Sequence, residues 1–469
     1  MKIAFMHFHL KTGGVTTVIR QQVEALKGVS DTLALTGLLP ETGFPCETVS
    51  IPGIGYDSET VSQPDPERTA GSIIQAIRKR WKNGCDILHV HNPTLAKNRH
   101  TLNILKILQE RGVRLFLQIH DFAEDGRPRV YFKNDYLPDC HYGVINSRDY
   151  DILIRSGLNP QGLHLVSNMV TPLPAWTGNR KTDGPVLYPI RAIRRKNIGE
   201  AILLASFFPD NKALMITLPP NSPADFPAYE SWKRFVARFG LNVEFEAGLK
   251  SDFISLVHAA DSLLTTSISE GFGFSFMEPW TAGKFLWGRD LTGITSDFKK
   301  FGMQLDHLYT RIRIPLEWVG AENFFSSWQR AVRNGLQGFQ IDKKEIHIRE
   351  AFERLTTDGT LDFGLLNEKF QQKVIQLVIE HTGNKKEMIK LNPFLVDCGH
   401  VPPTRTLIAE NRVLVARNYS RAAYRRTLSA LYERIRSYEP VHAIDKQALL
   451  NEFFNFNNFS LLKWGRHDS

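Results

Sequence analysis

Short apolar runs recur along the chain and alternate with longer amphipathic or polar segments, a pattern that argues an α/β fold with parallel sheets. In the first half the runs predict strands over 2–8, 32–39, 86–91, 114–120, 143–146 and 163–167. The stretch 172–185, PLPAWTGNRKTDGP, is rich in proline, glycine and charge, and it punctuates the chain as a linker. A second series then starts afresh, with strands predicted over 186–190, 213–218, 243–246, 262–266 and 285–288. Two successive doubly wound units are therefore expected, with a cleft at the facing carboxyl ends of their strands, where ligands of such sheets bind. Near the C-terminus Tyr424, Leu428, Leu431 and Ile435 recur at helical spacing within 418–435. The tail from 451 to 464 is rich in Phe and Asn and is expected to pack on the first domain or to serve an interface.

A chain of 469 residues exceeds what one ordinary core supports, which agrees with two domains. There is no run of about eighteen apolar residues, and the N-terminus opens directly into a strand-like segment without the features of a signal peptide. A cytoplasmic protein is expected. Cys46, Cys85, Cys140 and Cys398 are scattered singly, a spacing that indicates neither a disulfide framework nor a structural zinc site. Lys and Arg exceed Asp and Glu by 58 − 49 = 9, which predisposes the surface toward anionic partners. Part of that excess is the group Arg417, Arg421, Arg425 and Arg426, read as the solvated face of a helix, with docking on a membrane surface as the alternative. The basic residues show no aromatic-interleaved groove pattern, so no nucleic-acid partner is expected.

The segment 267–283, SISEGFGFSFMEPWTAG, carries the most chemistry. It joins a predicted strand to a helix expected from Phe276 to Ala282. Gly271 and Gly273 let the backbone turn tightly and approach a ligand, and free amides at a helix start favour anionic oxygens. Glu270 precedes the turn, and Glu278 is expected about two helical turns beyond it, so the two carboxylates face one ligand from different points. Carboxylates that accept from vicinal hydroxyls suit a sugar at one end and a ribose at the other.

At this point the chain resembles glycosyltransferase family 4, the retaining enzymes of the GT-B fold, whose second domain carries a Glu, seven residues, Glu motif with Gly-Phe-Gly after the first acid. Here it stands as EGFGFSFME, residues 270–278. The segment LYPIRAIRRKN, 187–197, resembles the family's Gly-Arg, four residues, Lys element, with Arg191 and Lys196 on the two cations and Ile190 where the family usually has Gly. Fixed cations at those positions stabilise a departing diphosphate without a metal. Arg194 and Arg195 are taken as surface charges.

The resemblance implies further roles. Gly13 and Gly14, in a turn before a helix expected near Thr17, match the family's N-terminal glycine loop. His120 matches a His that reaches the donor sugar near the bond being broken. Gly248 and Leu249 match a backbone contact to the nucleotide base, and Gly271, Phe272, Gly273, Phe274 and Glu278 complete the donor side, with Glu270 on the transferred sugar. His7, His9, His89 and His91 form two His-x-His pairs that could be proposed as metal ligands; family members commonly have such a pair before the residue that matches Asn92, so no metal is assigned. The loop after His120 carries Arg127 and Arg129, and with Lys11 and Asn92 it is expected to receive the acceptor; Lys97 and Arg99 border the same mouth. Planar guanidinium forks there point to an acceptor bearing carboxylate or phosphate.

The resemblance implies an α/β chain with two Rossmann-like domains, 1–175 on the acceptor side and 176–410 on the donor side. Residues 411–469 are expected as a helix crossing back to the first domain, with a tail packing there. The implied activity is retaining transfer of a hexosyl group from a nucleotide-diphosphate sugar, such as a UDP-, GDP- or ADP-hexose, to a hydroxyl acceptor, with no cofactor. A sugar-nucleotide epimerase, a phosphorylase, a membrane-surface enzyme of lipids or cell-envelope polysaccharides, and a non-catalytic binding module are the alternatives. The chain departs from the family's usual course over 291–400, and Asn168-Met-Val-Thr171 stands in place of Asn-Gly-Val-Asp.

Overall fold

A computed structural model describes residues 1–59, 64–174, 184–341, 345–400 and 405–465. The predicted linker therefore lies, from 175 to 183, outside the described residues. The chain divides into two compact units, one of Met1–Val170 with Arg417–Phe454 and one of Thr171–Ala416 with Asn455–Ser469.

The first unit holds seven strands: β1 (Lys2–His9), β2 (Asp31–Leu38), β3 (Glu47–Ser50), β4 (Ile87–His91), β5 (Leu115–Gln118), β6 (His141–Val144) and β7 (Leu163–Leu165). They form one parallel sheet in the order β3-β2-β1-β4-β5-β6-β7. Every predicted strand is present, and β3 is the one that the apolar pattern does not show. Its four residues, Glu47-Thr-Val-Ser50, are all at least partly exposed, so burial left no apolar run to find.

Because side chains alternate along a strand, β1 feeds two cores at once. Ala4 and Met6 pack on one face with Ile73, Ile77, Leu102 and Leu105. Ile3 and Phe5 pack on the other with Ile19 and Val23 of the helix Gly14–Leu26. The helix Arg421–Ser437 closes that second face: Tyr424, Leu428, Leu431 and Ile435, the four residues at helical spacing, are all buried in this cluster together with Tyr432. Arg421 and Arg425 of the same helix donate to the carbonyls of Glu24 and Ala25, the latter at 2.6 Å. Two of the four clustered arginines thus bond carbonyls in the last turn of the helix Gly14–Leu26, where cations are favoured.

The second unit has a five-stranded parallel sheet of β8 (Val186–Arg191), β9 (Leu214–Leu218), β10 (Val243–Glu244), β11 (Ser262–Thr265) and β12 (Phe285–Gly288), in the order β10-β9-β8-β11-β12. The register of β8 against β9 slips between Tyr188 and Arg191. Pro189 stands inside the slip and cannot donate to the ladder. The stretch 291–400 builds a two-stranded antiparallel sheet, β13 (Arg313–Pro315) with β14 (Thr360–Asp362), and a set of helices that includes Ala321–Phe339 and Glu368–Glu380.

Two expectations change. The C-terminal tail is divided: residues through Phe454 cluster with the first unit, whereas those from Asn455 on cluster with the second. The indole N–H of Trp328 donates to the Phe459 carbonyl at 3.3 Å, and Phe459 stacks on Trp464 at 5.1 Å, so the aromatic residues of the tail cover the second unit's added helices. The glycine-loop helix begins at Gly14 rather than near Thr17, because Gly13 in extended conformation already serves as its N-terminal boundary. Among the described residues no helix is long and apolar enough to cross a membrane. The four cysteines are unpaired, and burial pushes the thiols of Cys46 and Cys85 up to about 11 and that of Cys140 up to about 12.

Leu428→Ala should destabilise the first unit by about 2–5 kcal/mol, the range for deleting a fully buried leucine, whereas Ala at exposed Arg426 should change stability by less than about 0.5 kcal/mol. Urea unfolding followed by far-UV circular dichroism reads both. Equal stability of the two variants would show that the helix Arg421–Ser437 is no part of the first core.

Candidate functional site

In the second sheet β8 and β11 are neighbours although β9 and β10 lie between them in sequence, so the strand order reverses at this pair. The loops leaving two such strands diverge and open a crevice at their carboxyl ends. After β8 comes a turn of 3₁₀ helix, Arg194–Lys196, and then Asn197 in the left-handed region at φ 52°. After β11 come Ser267 to Glu270.

The two loops are joined by polar contacts. The Tyr188 hydroxyl donates to the Lys196 carbonyl at 2.5 Å and accepts from the Thr266 N–H at 3.2 Å. The Thr266 hydroxyl donates to the Asn197 carbonyl at 2.9 Å. On this frame the Lys196 ammonium is paired with Glu270 Oε1, and Arg195 Nη1 donates to Glu270 Oε2 at 3.3 Å and to the Ser269 carbonyl at 2.8 Å. Glu270 is 9 % exposed and Lys196 15 %. Burial alone would raise the Glu270 carboxyl, but the charges of Lys196 and Arg195 outweigh it and hold the group below its usual range, ionised. Arg195, a surface charge by its sequence setting, is instead part of this cluster. Arg194 is not a surface charge either, since its guanidinium forms a two-point pair with Glu368 at 2.6 and 2.8 Å. Arg191 is exposed at the strand's end and donates to the Pro219 carbonyl at 3.3 Å.

The Gly-Phe-Gly turn serves the fold as well as any ligand. Gly273 adopts φ 88°, and a Cβ there would come within 2.8 Å of Ile294 and 2.9 Å of Phe276, so the fold itself demands glycine. Phe272 is buried against Phe274 and Phe298, which commits its side chain to the core. The expected single helix breaks into a 3₁₀ turn, Phe274–Phe276, and one turn of α-helix, Glu278–Thr281. Glu278 therefore stands at the first position of a short helix rather than two turns into a longer one. Burial pushes its carboxyl up to about 7 against the pull of Lys196. Gly248 packs close to the end of β9, where a Cβ would lie 3.0 Å from the Thr217 carbonyl, and the adjacent Leu249 is exposed.

In the first sheet the order reverses between β1 and β4, and the histidines gather there and at the end of neighbouring β5. His91 Nδ1 lies 2.8 Å from His120 Nε2, with the rings stacked at 5.1 Å. His89 stacks on His91 at 4.3 Å and bonds the Tyr432 hydroxyl and Gln118, each at 2.9 Å. Asn92, in the left-handed region at φ 54°, accepts through Oδ1 from the N–H groups of His120 at 2.7 Å and Asp121 at 3.2 Å. Its buried side-chain oxygen is thus spent on fixing the His120 backbone rather than presented to an acceptor. Among the described residues no three His, Cys, Asp or Glu side chains converge to hold a metal ion.

Gly13 and Gly14 lie at the start of the helix Gly14–Leu26, and a Cβ at Gly14 would meet nothing within 4 Å. Lys11 is exposed in the same loop. In the loop after β5, Arg127 and Arg129 are both exposed, and Arg127 is bonded to Asp121 at 2.8 Å. Arg99 is bound to Asp57 at 3.4 Å and Lys97 lies over the Tyr56 ring at 5.4 Å. Tyr188, Thr266 and Arg195 belong to the second unit's cluster without having been marked by the sequence as site residues, and His91, marked there only through a His-x-His pair, belongs to the first unit's cluster. The sequence signal available for the first two is polarity at the ends of otherwise apolar strands.

No protein-family model matches the chain. The chain is 24 % identical over 433 residues to the mannosylglucosyl-3-phosphoglycerate synthase of Petrotoga mobilis, covering 83 % of each protein. Among solved structures it is similar to the sucrose-phosphate synthase of Thermosynechococcus elongatus, with a TM-score of 0.53 and 13 % identity over 92 % of this chain and 98 % of that one. It is also similar to the Anabaena protein HepE in complex with UDP-glucose, with a TM-score of 0.51 and 13 % identity over 92 % and 99 %. These structural likenesses bear on the fold: α/β with parallel sheets in two domains, the GT-B class.

Burial lowers the imidazoles of His7 and His89 to about 3 and that of His120 to about 4, and it takes His91 well below the usual 6.5. Between pH 6.5 and those values the unfolded chain binds protons that the folded chain does not. Stability from this source is therefore complete above about pH 6.5 and is lost on acidification, by up to about 1.4 kcal/mol per pH unit for each imidazole. Glu278 acts in the opposite sense, so the comparison is with His120→Asn, whose stability should fall less steeply between about pH 7 and pH 5 than the parent's. Identical slopes in urea unfolding would contradict a neutral, buried His120.

Proposed function

We propose that the protein transfers a hexosyl group from a nucleoside-diphosphate sugar to a hydroxyl acceptor, with retention at the anomeric carbon. The observation that carries this reading is the ionised Glu270 held by Lys196 and Arg195 at the carboxyl ends of β8 and β11, with Arg191 and Glu278 nearby in sequence on the same two loops. Lys196 and Arg191 would bind the diphosphate and stabilise the charge that develops as it leaves. Glu270 would accept from hydroxyls of the transferred sugar, and Glu278 from the ribose. The leaving phosphate would take the acceptor's proton on the same face, so that the protein's task is positioning and charge stabilisation.

In the first unit, neutral His120 would reach the donor near its reactive carbon. Its Nε2 is occupied by His91, which leaves Nδ1 for a sugar hydroxyl. The helix that starts at Gly14 would present free amides to the donor phosphate or the acceptor. An acceptor bearing an acid fits Arg129 and Lys11, both exposed. The name of the Petrotoga relative supports that class, since a phosphoglycerate carries both phosphate and carboxylate.

A thermal-shift panel of UDP-, GDP- and ADP-sugars should identify one donor, because a ligand that binds only the folded state raises its melting temperature. With that donor and an anionic acceptor, Glu270→Gln, Lys196→Ala and Arg191→Ala should each lower turnover by at least about tenfold, a loss of roughly 1.4 kcal/mol of transition-state stabilisation. Parental rates in all three variants would refute the assigned site. Conversion of the sugar nucleotide without an acceptor would point to an epimerase, and dependence on inorganic phosphate to a phosphorylase.

A further inference from the structure

The turn that carries Lys196 is gripped from its far side by residues that the donor-site motif does not include. Arg194 uses Nε and Nη2 on Glu368, at 2.6 and 2.8 Å, and Nη1 on the Gly465 carbonyl at 2.6 Å. Its side chain is 11 % exposed and that of Glu368 16 %. One residue past Lys196, the Asn197 side chain accepts from Gln371 and donates to Glu200, both at 2.8 Å. Glu200 is fully buried and is held by the Arg289 fork, at 2.8 and 2.6 Å, and Arg289 in turn is held by Asp362 of β14, at 2.7 and 2.8 Å. Glu368, Gln371 and Asp362 all belong to the short stretch 360–371, within the region that departs from the family's course. Ser460 of the tail fastens that stretch by donating to the Gly364 carbonyl at 2.8 Å.

Arg194 and Lys196 sit in one 3₁₀ turn whose next residue is held in the left-handed region. A turn so constrained has few other conformations, and its two ends are fixed separately, by Arg194 before Lys196 and by Asn197 after it. We propose that Arg194 is a positioning residue: braced by Glu368 and by the C-terminal tail at Gly465, it fixes the turn so that Lys196 meets the donor diphosphate. This rests on the donor-site reading above. It also gives the added segment 360–371 and the Phe/Asn-rich tail a function, which is to brace the phosphate-binding turn from behind. The guanidinium does not itself touch the donor, because all three of its nitrogens are engaged by protein acceptors.

The test is a double-mutant cycle on the full chain, reading the dissociation constant of whichever of UDP, GDP or ADP stabilises the parent. Arg194→Met should weaken binding by about tenfold in the parent and by less than about twofold in a Lys196→Ala background, because the arginine acts only through the lysine. Arg194→Lys, which keeps the charge and loses the fork, should fall between. Circular dichroism and melting temperature show whether each variant is folded. Where Arg194→Met fails to fold, Glu368→Gln takes its place in the same cycle. Weakening by the same factor in both backgrounds, or in neither, would overturn the positioning role while leaving the donor site standing. An unchanged affinity in Lys196→Ala alone would overturn the donor-site reading and this inference with it.

Discussion

A buried ion pair, Lys196 with Glu270 and Arg195 beside it, governs the geometry of the candidate site. A carboxylate so far removed from water is costly unless opposite charges and hydrogen bonds compensate, and removing one partner of such a pair leaves the other uncompensated. Here two cations supply the compensation, and both come from one turn. The pair therefore ties the loop after β8 to the loop after β11 and, on the proposed reading, would hold a hydrogen-bond acceptor for sugar hydroxyls beside a cation for the phosphates. The same constraint explains why the polar contacts of Tyr188 and Thr266 surround it: a pair that must hold its geometry needs a rigid backbone on both sides.

Sheet topology decides where such a pair can form. In both units the strand order reverses once, between β1 and β4 and between β8 and β11, and the polar residues of an otherwise apolar sheet collect at these points. In the second unit they are charged. In the first they are buried neutral imidazoles that bond to one another, to Tyr432 and to Gln118. Burial accounts for the neutral imidazoles, since desolvation disfavours their charged form, whereas in the second unit the cations are paired with the Glu270 carboxylate.

Much of this was legible in the sequence. Strands that are buried on both faces are continuous apolar runs, so those of both sheets other than β3 were readable, and Glu270, Arg191 and Lys196 stood in motifs whose residue types announce their chemistry. Three things were not. The exposed edge strand β3 and the paired strands β13 and β14 have no apolar run to read. Arg194 and Arg195 could not be told from solvated charges, because their partners Glu368 and Glu270 are far away in sequence. The path of the tail was also hidden, since an aromatic-rich segment advertises burial without saying against what. At Gly273 the sequence suggested a tight turn open to a ligand, and the structure adds a reason internal to the fold: sterics at φ 88° require glycine whether or not a ligand binds.

A crystal structure of the protein with the nucleoside diphosphate that stabilises it most, among UDP, GDP and ADP, would show the site itself. The diphosphate is expected at the carboxyl ends of β8 and β11, with its oxygens within hydrogen-bond distance of the Lys196 ammonium and the Arg191 guanidinium. The first unit also offers a groove at the opposite, amino ends of its strands, lined by Asp86, Arg114, His141 and Glu439. A nucleotide bound there, with Lys196 still engaged only by Glu270, would refute the assignment of the donor site.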